Sequence, residues 1–233
     1  VAGIAALFGG MSHALITLVG TDSATGSMFD DLSSATDPVR QYFSFSYVFI
    51  GLLPMVYGVL AVLRACAEER SGLLDTELAT GIRRAGPLLA RIVLAVVGSI
   101  VLLVVGAAMQ AALTYAVADG GTARWALAYP LAQAPGILAA IGIAAAAVGW
   151  LPRQSSIVWA VVAWSAFTAV FAELLRLPAW ARSFSLLGHG PDAVSSGVSG
   201  WMPWTAVAML IVVAVIGIAA GLAGMKQRDI VAT

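Results

Sequence analysis

The chain has 233 residues, of which 61% are hydrophobic and only 10% charged, and its formal net charge is zero. A soluble domain carries about 25% charged residues, so the apolar surface of this chain needs lipid to cover it. Zero net charge gives no bulk attraction to nucleic acid, and a single cysteine, Cys66, excludes an internal disulfide and a multi-cysteine metal site. The composition therefore predicts a membrane protein.

Six apolar runs follow one another along the chain, each long enough to cross a bilayer. A hydrocarbon core about 30 Å thick needs about 20 apolar residues in a helix, and the runs cover residues 1–19, 42–63, 88–117, 125–151, 156–175 and 204–225. The first run begins without Met or a charged flank, so the numbered chain is expected to start inside or just before a helix. The predicted fold is an all-α bundle of six transmembrane helices, forming one domain over residues 1–233.

Prolines and glycines within the runs predict local geometry. Three prolines remove backbone hydrogen bonds inside spans and should bend them, namely Pro54, Pro130 and Pro135. Three glycines share one face at the end of the last span and are expected to pack closely against a neighbouring helix, namely Gly217, Gly221 and Gly224.

The distribution of basic residues predicts the orientation, because cytoplasmic loops carry an excess of Lys and Arg. If the segment between the second and third runs is cytosolic, the basic residues inside are Arg64, Arg70, Arg83, Arg84, Arg91, Arg153, Lys226 and Arg228. Those outside are then only Arg40, Arg124, Arg176 and Arg182. The chain is therefore expected to be a multi-pass protein of the cytoplasmic membrane, with both ends in the cytosol.

Two segments are predicted on the outer side. Residues 21–40 are rich in Ser, Thr, Asp and Gly and indicate a polar loop. Residues 176–203 contain three prolines and two tryptophans, and Trp204 follows directly; tryptophans at this density are typical of the headgroup layer. This second segment is expected to form short helices or a re-entrant lid along the outer interface.

Catalytic and cofactor motifs are missing from the sequence. It has no GxxxxGK[ST] loop for a nucleotide, no serine in a GxSxG setting, and no charged residue near the middle of a predicted span. His13 and His189 are far apart, which makes a metal site implausible. The chain is therefore expected to have no catalytic residue, metal or cofactor of its own.

The segment from Arg64 to Arg84 contrasts most with its surroundings, since it holds eight of the 24 charged residues between two long apolar runs. Residues 68–78 are helix-forming, with charge on one face and leucines at helical spacing. Gly81 and the Gly86–Pro87 pair end the element before the third run. The pattern fits a cytosolic helix that docks onto a partner, and it equally fits a solvated loop whose charges keep it out of lipid.

The same segment resembles the Glu-Glu-x-x-Gly-x-x-Glu…Leu-Ala-Thr-x-x-x-Arg stretch of ABC-2-type exporter permeases. The matching residues are Glu68, Glu69, Gly72, Leu78, Ala79, Thr80 and Arg84. Further similar stretches follow in the family's order, at residues 149–153, 177–180, 183–192 and 221–230. The closest resemblance is to the actinobacterial members associated with polyketide-antibiotic and multidrug export. Leu73 and Asp75 depart from the pattern, at positions where arginine and glutamate are usual.

The resemblance implies a permease subunit that exports hydrophobic or amphiphilic compounds, such as antibiotics, drugs or lipids. Its motor would be a separate ABC ATPase, present as a dimer, that binds ATP and Mg and docks at residues 64–84. The residues implied in this coupling are Glu68, Glu69, Gly72, Asp75, Glu77, Leu78 and Arg84. Family members often contain two six-span halves, so this chain would be the second half of a longer permease, working with another half in the same or a second chain.

Polar residues within the spans are the candidates for a substrate path through the bundle. Gln110 and Gln133 come first, because an amide that faces lipid is costly, and Tyr47 and Tyr115 are added to them. The alternative to a substrate-path role for all four residues is helix–helix hydrogen bonding. Two other functions also stay open: an ATP-independent secondary transporter or channel, and a non-transporting membrane assembly subunit.

Overall fold

The computed structural model describes residues 1–8, 11, 38–70, 86–117, 120–171, 175, 177–178, 184–187 and 204–227. Within these residues the backbone is almost entirely helical and contains no strand. Residues 2–8 are helical, and six α-helices follow: α1 Pro38–Arg70, α2 Gly86–Val117, α3 Gly120–Leu131, α4 Ala134–Trp150, α5 Val158–Phe171 and α6 Trp204–Gln227. A 3-10 turn, Ser155–Ile157, leads into α5. The predicted all-α fold is confirmed.

In the part of the chain that the structure describes, four helical stretches are long and apolar enough to cross a membrane, namely Ser46–Glu69, Gly86–Ala116, Ala126–Trp150 and Trp204–Gln227. The fifth predicted span forms a shorter apolar helix, Ser155–Phe171. The first predicted span lies mostly outside the described residues. The same is true of most of the charged segment at residues 64–84 and of the predicted outer segments at residues 21–40 and 176–203. The predicted count of six spans is therefore only roughly matched.

The fourth predicted span is one run in the sequence but two helices in the structure. Its helix is interrupted at Ala132 and Gln133, where the Gln133 amide turns back to the Pro130 carbonyl at 3.0 Å. Pro135 has no N–H to donate, so the helical ladder cannot pass through this point unbroken. The predicted distortion at Pro130 and Pro135 is confirmed. Pro54 lies inside the continuous helix α1, and a bend there stays a prediction.

Helices α1 and α2 pack antiparallel along most of their length. In the contacting pairs, the residue number increases along α1 while it decreases along α2. The pairs are Ser46–Gln110, Ile50–Gly106, Tyr57–Gly98 and Glu68–Arg91. Gly98 and Gly106 let the larger side chains of α1 approach, since a Cβ at Gly98 would overlap the Tyr57 ring. In lipid, where apolar side chains gain little by leaving the solvent, such close packing is what holds two helices together.

Two further long contacts, of α1 with α3 and α4 and of α4 with α6, are parallel. Where α1 contacts α3 and α4, residue numbers increase in the same direction on both sides of the contact. The pairs are Tyr47–Tyr129, Gly51–Gln133 and Gly58–Ile141. Positions in α4 and α6 also rise together, in the pairs Gly142–Gly217, Ala145–Gly221 and Gly149–Gly224. The C-terminal ends of α1, α4 and α6 therefore lie at the same end of the bundle as the start of α2. We call this the charged end, defined by Glu68, Arg91, Arg153 and Lys226.

Helices α4 and α6 meet backbone against backbone. A Cβ at Gly142 would lie 2.6 Å from the Ala214 carbonyl oxygen, and one at Gly224 would lie 2.7 Å from the Gly149 carbonyl oxygen. At the charged end, the Trp150 indole Nε1 donates to the Ala220 carbonyl at 2.8 Å. The predicted close packing of the glycine face of the last span is confirmed, with α4 as the neighbour.

Replacing Gly221 with leucine should therefore destabilise the bundle. The new side chain would meet the Ala145 carbonyl, a backbone atom that cannot rotate away, so the expected cost is about 3 kcal/mol, the upper part of the usual range for overpacking. Unfolding of the purified protein in mild detergent measures it. Ala219→Leu, on the exposed face of the same helix, is the matched control and should change stability by less than about 0.5 kcal/mol. Equal effects of the two variants would contradict this packing.

Candidate functional site

An ion pair joins α1 and α2 at the charged end. The Arg91 guanidinium donates from Nε to Glu68 Oε2 at 3.0 Å, and its Nη2 pairs with Glu68 Oε1. Both side chains are about 30% exposed, at 28% for Arg91 and 31% for Glu68. A two-point contact of this kind fixes the geometry as well as the charge. From the sequence, Arg91 was expected only to be one of the basic residues on the cytosolic side. Its pairing with Glu68 depends on the antiparallel register of α1 and α2, which the sequence does not show.

The predicted coupling segment begins as part of a transmembrane helix. Helix α1 continues to Arg70, seven residues beyond the predicted end of the second span. It does so because one face stays buried, with Ala65 and Cys66 each 5% exposed. Glu68 and Glu69 therefore lie in the last turns of α1. The other predicted coupling residues lie outside the described residues, namely Gly72, Asp75, Glu77, Leu78 and Arg84, and the coupling assignment as a whole stays a prediction.

At the end of the bundle opposite the charged end lie two of the predicted path residues, Tyr47 on α1 and Gln110 on α2. The Gln110 side chain is fully buried, and its Nε2 donates to Ser46 Oγ at 2.7 Å. Its Oε1 is also buried and has no hydrogen-bond partner among the described residues. Tyr47, next to Ser46, stacks on Tyr129 of α3 with ring centroids 5.8 Å apart. A buried acceptor left unpaired costs about 1–3 kcal/mol, so Gln110 is poorly explained as a packing residue alone.

Gln133 lies at the break between α3 and α4. It is 2% exposed, and its Nε2 donates to the Leu187 carbonyl at 3.4 Å. Its side chain packs flat against α1 at Gly51, where a Cβ would lie 3.0 Å from Gln133 Cγ. Gly51 is one turn below Tyr47 on the same face, so Gln133 and the Tyr47–Tyr129 stack form successive layers of one interface.

Tyr115 stands apart from the other three residues. It is 68% exposed and lies near the end of α2 opposite the charged end, one position after the buried Thr114. The structure thus gathers Tyr47, Gln110 and Gln133 around the half of α1 away from the charged end and leaves Tyr115 on the surface. The assignment of all four to a substrate path stays a prediction.

A non-helical segment, residues 184–187, is inserted between α4 and α5. Ser185 and Leu187 are almost completely buried. The Leu186 amide donates to Ser165 Oγ at 3.1 Å, and Ser185 Oγ donates to the Ser165 carbonyl at 3.4 Å. Gly136 is the point of closest approach on α4, since a Cβ there would overlap the Leu186 carbonyl. Irregular backbone at membrane depth is tolerated only when protein covers it and satisfies its polar groups, as here.

Residues 184–187 belong to the predicted re-entrant lid, but the sequence does not predict which helices they pack against. Their burial depends on Ser165, 21 residues earlier in α5, and on the break at Gln133, 54 residues earlier. Of the predicted lid, residues 177–178 and 184–187 are described. Within the insert, Ser185 and Leu187 lie inside the bundle, whereas Phe184 is 72% exposed.

Comparison with known proteins places the chain in a class. A family described as the C-terminal domain of the multidrug efflux system permease Rv1217c matches residues 1–226. No significant match was found among curated proteins. Because the family match covers almost the whole chain, the protein belongs to this family and is a transport permease domain of the membrane. The predicted resemblance to the second half of an exporter permease is confirmed.

Removing the Ser165 hydroxyl should loosen the insert. Ser165→Ala leaves the Leu186 amide unpaired in an apolar setting, at a cost of about 1–3 kcal/mol, and about 1.4 kcal/mol is tenfold in an equilibrium constant. With Leu187→Cys as the reporter in a Cys66→Ala background, maleimide labelling should accelerate about tenfold or more. Ser156→Ala, at an exposed serine in the turn that leads into the same helix, should leave the labelling rate unchanged. Equal labelling in the two variants would show that the hydroxyl does not hold the insert.

Replacing Gln110 and Ser46 together should separate packing from function. In Gln110→Leu/Ser46→Ala both hydrogen-bonding partners become apolar, so stability should be unchanged or higher by up to about 1 kcal/mol. Ser46→Ala alone should be less stable than the double variant, because it leaves the Gln110 amide without its acceptor. If Gln110 lines the path, drug resistance conferred by the double variant falls although the protein is no less stable. Unchanged resistance would assign Gln110 to packing.

Proposed function

We propose that this chain is the membrane half of an ATP-driven exporter of hydrophobic or amphiphilic compounds. In this proposal a separate ABC ATPase, acting as a dimer, binds ATP and Mg and docks at residues 64–84, while the chain itself carries no catalytic residue. The Glu68–Arg91 pair is the observation that carries the proposal. It joins the two helix ends from which residues 71–85 emerge.

The pair makes the base of the charged segment rigid. Helix α1 has 33 residues and α2 has 32, so each is about 50 Å long. A two-point ion pair between their ends resists both sliding and twisting of one helix against the other. A force applied to the connecting segment would therefore move α1 and α2 together instead of being lost in a flexible joint.

Helix α1 can carry such a movement to the opposite end of the bundle. It contacts α2, α3, α4 and α5, and its outer half holds the layers formed by Ser46, Tyr47 and Gly51 with their partners. A joint shift of α1 and α2 along the α1 axis would change the packing of Gln133 on Gly51 and the Tyr47–Tyr129 stack. The unpaired Gln110 Oε1 supports a role for this region in contacting cargo, because another arrangement of the helices could give it a donor.

The charged end is proposed to face the cytosol. Among the described side chains, Arg64, Arg91, Arg153 and Lys226 lie at or near this end, whereas Arg124 lies near the opposite end, five residues before Tyr129. An excess of basic residues on one side is typical of the cytoplasmic face. The membrane would then be the cytoplasmic membrane with both chain ends inside, and the chain would assemble with another six-span half, in the same polypeptide or a second one.

Charge variants test the docking proposal. Because Glu68 is held by Arg91, reversing its charge alone would break the bundle as well as any contact with the ATPase. Asp75→Lys/Glu77→Lys avoids this problem, since both residues lie in the connecting segment. This variant should abolish co-purification of the ATPase and ATP-dependent export, while the thermal stability of the isolated permease changes by less than about 0.5 kcal/mol.

Glu68→Arg/Arg91→Glu is the control for the ion pair. It restores an opposite-charge pair, so its stability should return close to that of the unaltered protein, whereas Glu68→Arg alone should be clearly less stable. The docking proposal is contradicted if Asp75→Lys/Glu77→Lys still exports its cargo in an ATP-dependent manner. Export that persists without ATP and collapses with the proton gradient would instead indicate a secondary transporter.

A further inference from the structure

An open groove runs between α5 and α6 on the side of the bundle away from α1 and α2. It has a volume of about 500 Å³, within the range of about 300–1,000 Å³ found for sites that hold small organic molecules. Helix α4 forms its floor, and its lining is apolar apart from Ser185. The principal lining side chains are Ile143, Ile157, Trp164, Leu186, Met209 and Val213.

The groove is aligned with the helix axes. Along α5 its lining extends from Ile157, at the start of the helix, to Trp164. Its far end is closed by the inserted residues Phe184, Ser185 and Leu186, which hydrogen bonds hold against Ser165. From Ile157 to Trp164 the rise is about 10 Å, about two thirds of the depth of one leaflet of a hydrocarbon core about 30 Å thick. The groove therefore runs in the direction of a lipid acyl chain and covers part of its length.

Two cations lie beyond the other end of the groove, at the charged end. Arg153 is exposed in the short connection before α5, four residues from Ile157. Lys226 is exposed in the last turn of α6, about 20 Å along the helix from Val213, the last residue of α6 that lines the groove. The parallel register of α4 and α6 brings Lys226 level with Leu151. Both belong to the charged end, where a phosphate group would lie if an acyl chain filled the groove. Basic residues between helices at this level attract anionic lipid headgroups.

We propose that the groove is a binding site for one anionic membrane phospholipid. Its phosphate lies at Arg153 and Lys226, and one acyl chain lies along α5 and ends against the inserted segment 184–187. This site is independent of ATP coupling and of the path around Gln110. By packing on Phe184 and Leu186, the acyl chain would also support the insert that receives the Gln133 hydrogen bond.

Tryptophan quenching tests the site, because Trp164 lies in the groove. The full permease with its partner subunits is placed in nanodiscs of phosphatidylcholine with increasing amounts of phosphatidylglycerol brominated in the middle of its acyl chains. Subtracting the signal of Trp164→Phe isolates the contribution of Trp164. With about a thirtyfold preference for the anionic lipid from two cations, quenching should saturate, with its midpoint near a mole fraction of about 0.03.

Three variants distinguish this site from the general lipid surround. Arg153→Gln/Lys226→Gln should raise the midpoint to that of brominated phosphatidylcholine and leave the folded protein intact, since both residues are exposed. Ala160→Phe fills the groove and should remove the saturable quenching. Ala163→Phe, exposed on the same helix but outside the groove, should retain it.

The proposal would be overturned if quenching rose only in proportion to the mole fraction of brominated lipid and were the same in the Arg153→Gln/Lys226→Gln variant. Trp164 would then contact only the general surrounding lipid. No quenching of Trp164 in the assembled transporter would also overturn it, because protein, such as the other permease half, would then cover the groove. Neither result bears on the ATPase, whose docking is tested by the Asp75 and Glu77 variants.

Discussion

Hydrocarbon offers no hydrogen-bond partner to a backbone amide or carbonyl, and this constraint shapes each irregular feature of the bundle. The break between α3 and α4 is tolerated because the amide of Gln133 turns back onto Pro130 and its side chain reaches Leu187. The insert at residues 184–187 is tolerated because Ser165 accepts its amide. The two irregular segments thus share a hydrogen bond, and both lie in the half of the bundle away from the charged end.

Helix association in the same medium depends on how closely the backbones approach. The glycines of α4 and α6 allow direct backbone contact, and that pair forms the most extensive interface among the described helices. Helix α1 instead packs larger side chains against several neighbours, with polar contacts at both ends. We infer that α4 and α6 form a stiff unit, and that α1 with α2 forms the part better placed to respond to a partner at the charged end.

The two sides of the charged end differ. On the α1 and α2 side, Arg91 pairs with Glu68, and residues 71–85 beyond it are the segment proposed to meet an ATPase. On the α5 and α6 side, Arg153 and Lys226 are exposed and lie beyond the end of an apolar groove. The first arrangement suits transmission of force, and the second suits anchoring in the lipid.

The sequence by itself determined the class, because periodic runs of about 20 apolar residues and so few charges have only one stable environment. It also determined the distortion at Pro130 and Pro135 and the close packing of Gly217, Gly221 and Gly224, since these follow from single residue types. Family resemblance came from the short motif around Glu68. None of these inferences requires knowledge of which helices are neighbours.

Only the tertiary structure decided which polar groups meet. Glu68 with Arg91, Gln110 with Ser46, and Gln133 with Leu187 join residues 23 to 64 positions apart, and composition carries no information on such pairs. It also separated Tyr115, on the surface, from the three other candidates for the path. The physical reason is that hydrophobicity sets how deep a helix lies in the membrane, whereas the direction in which each side chain points depends on how the helices pack.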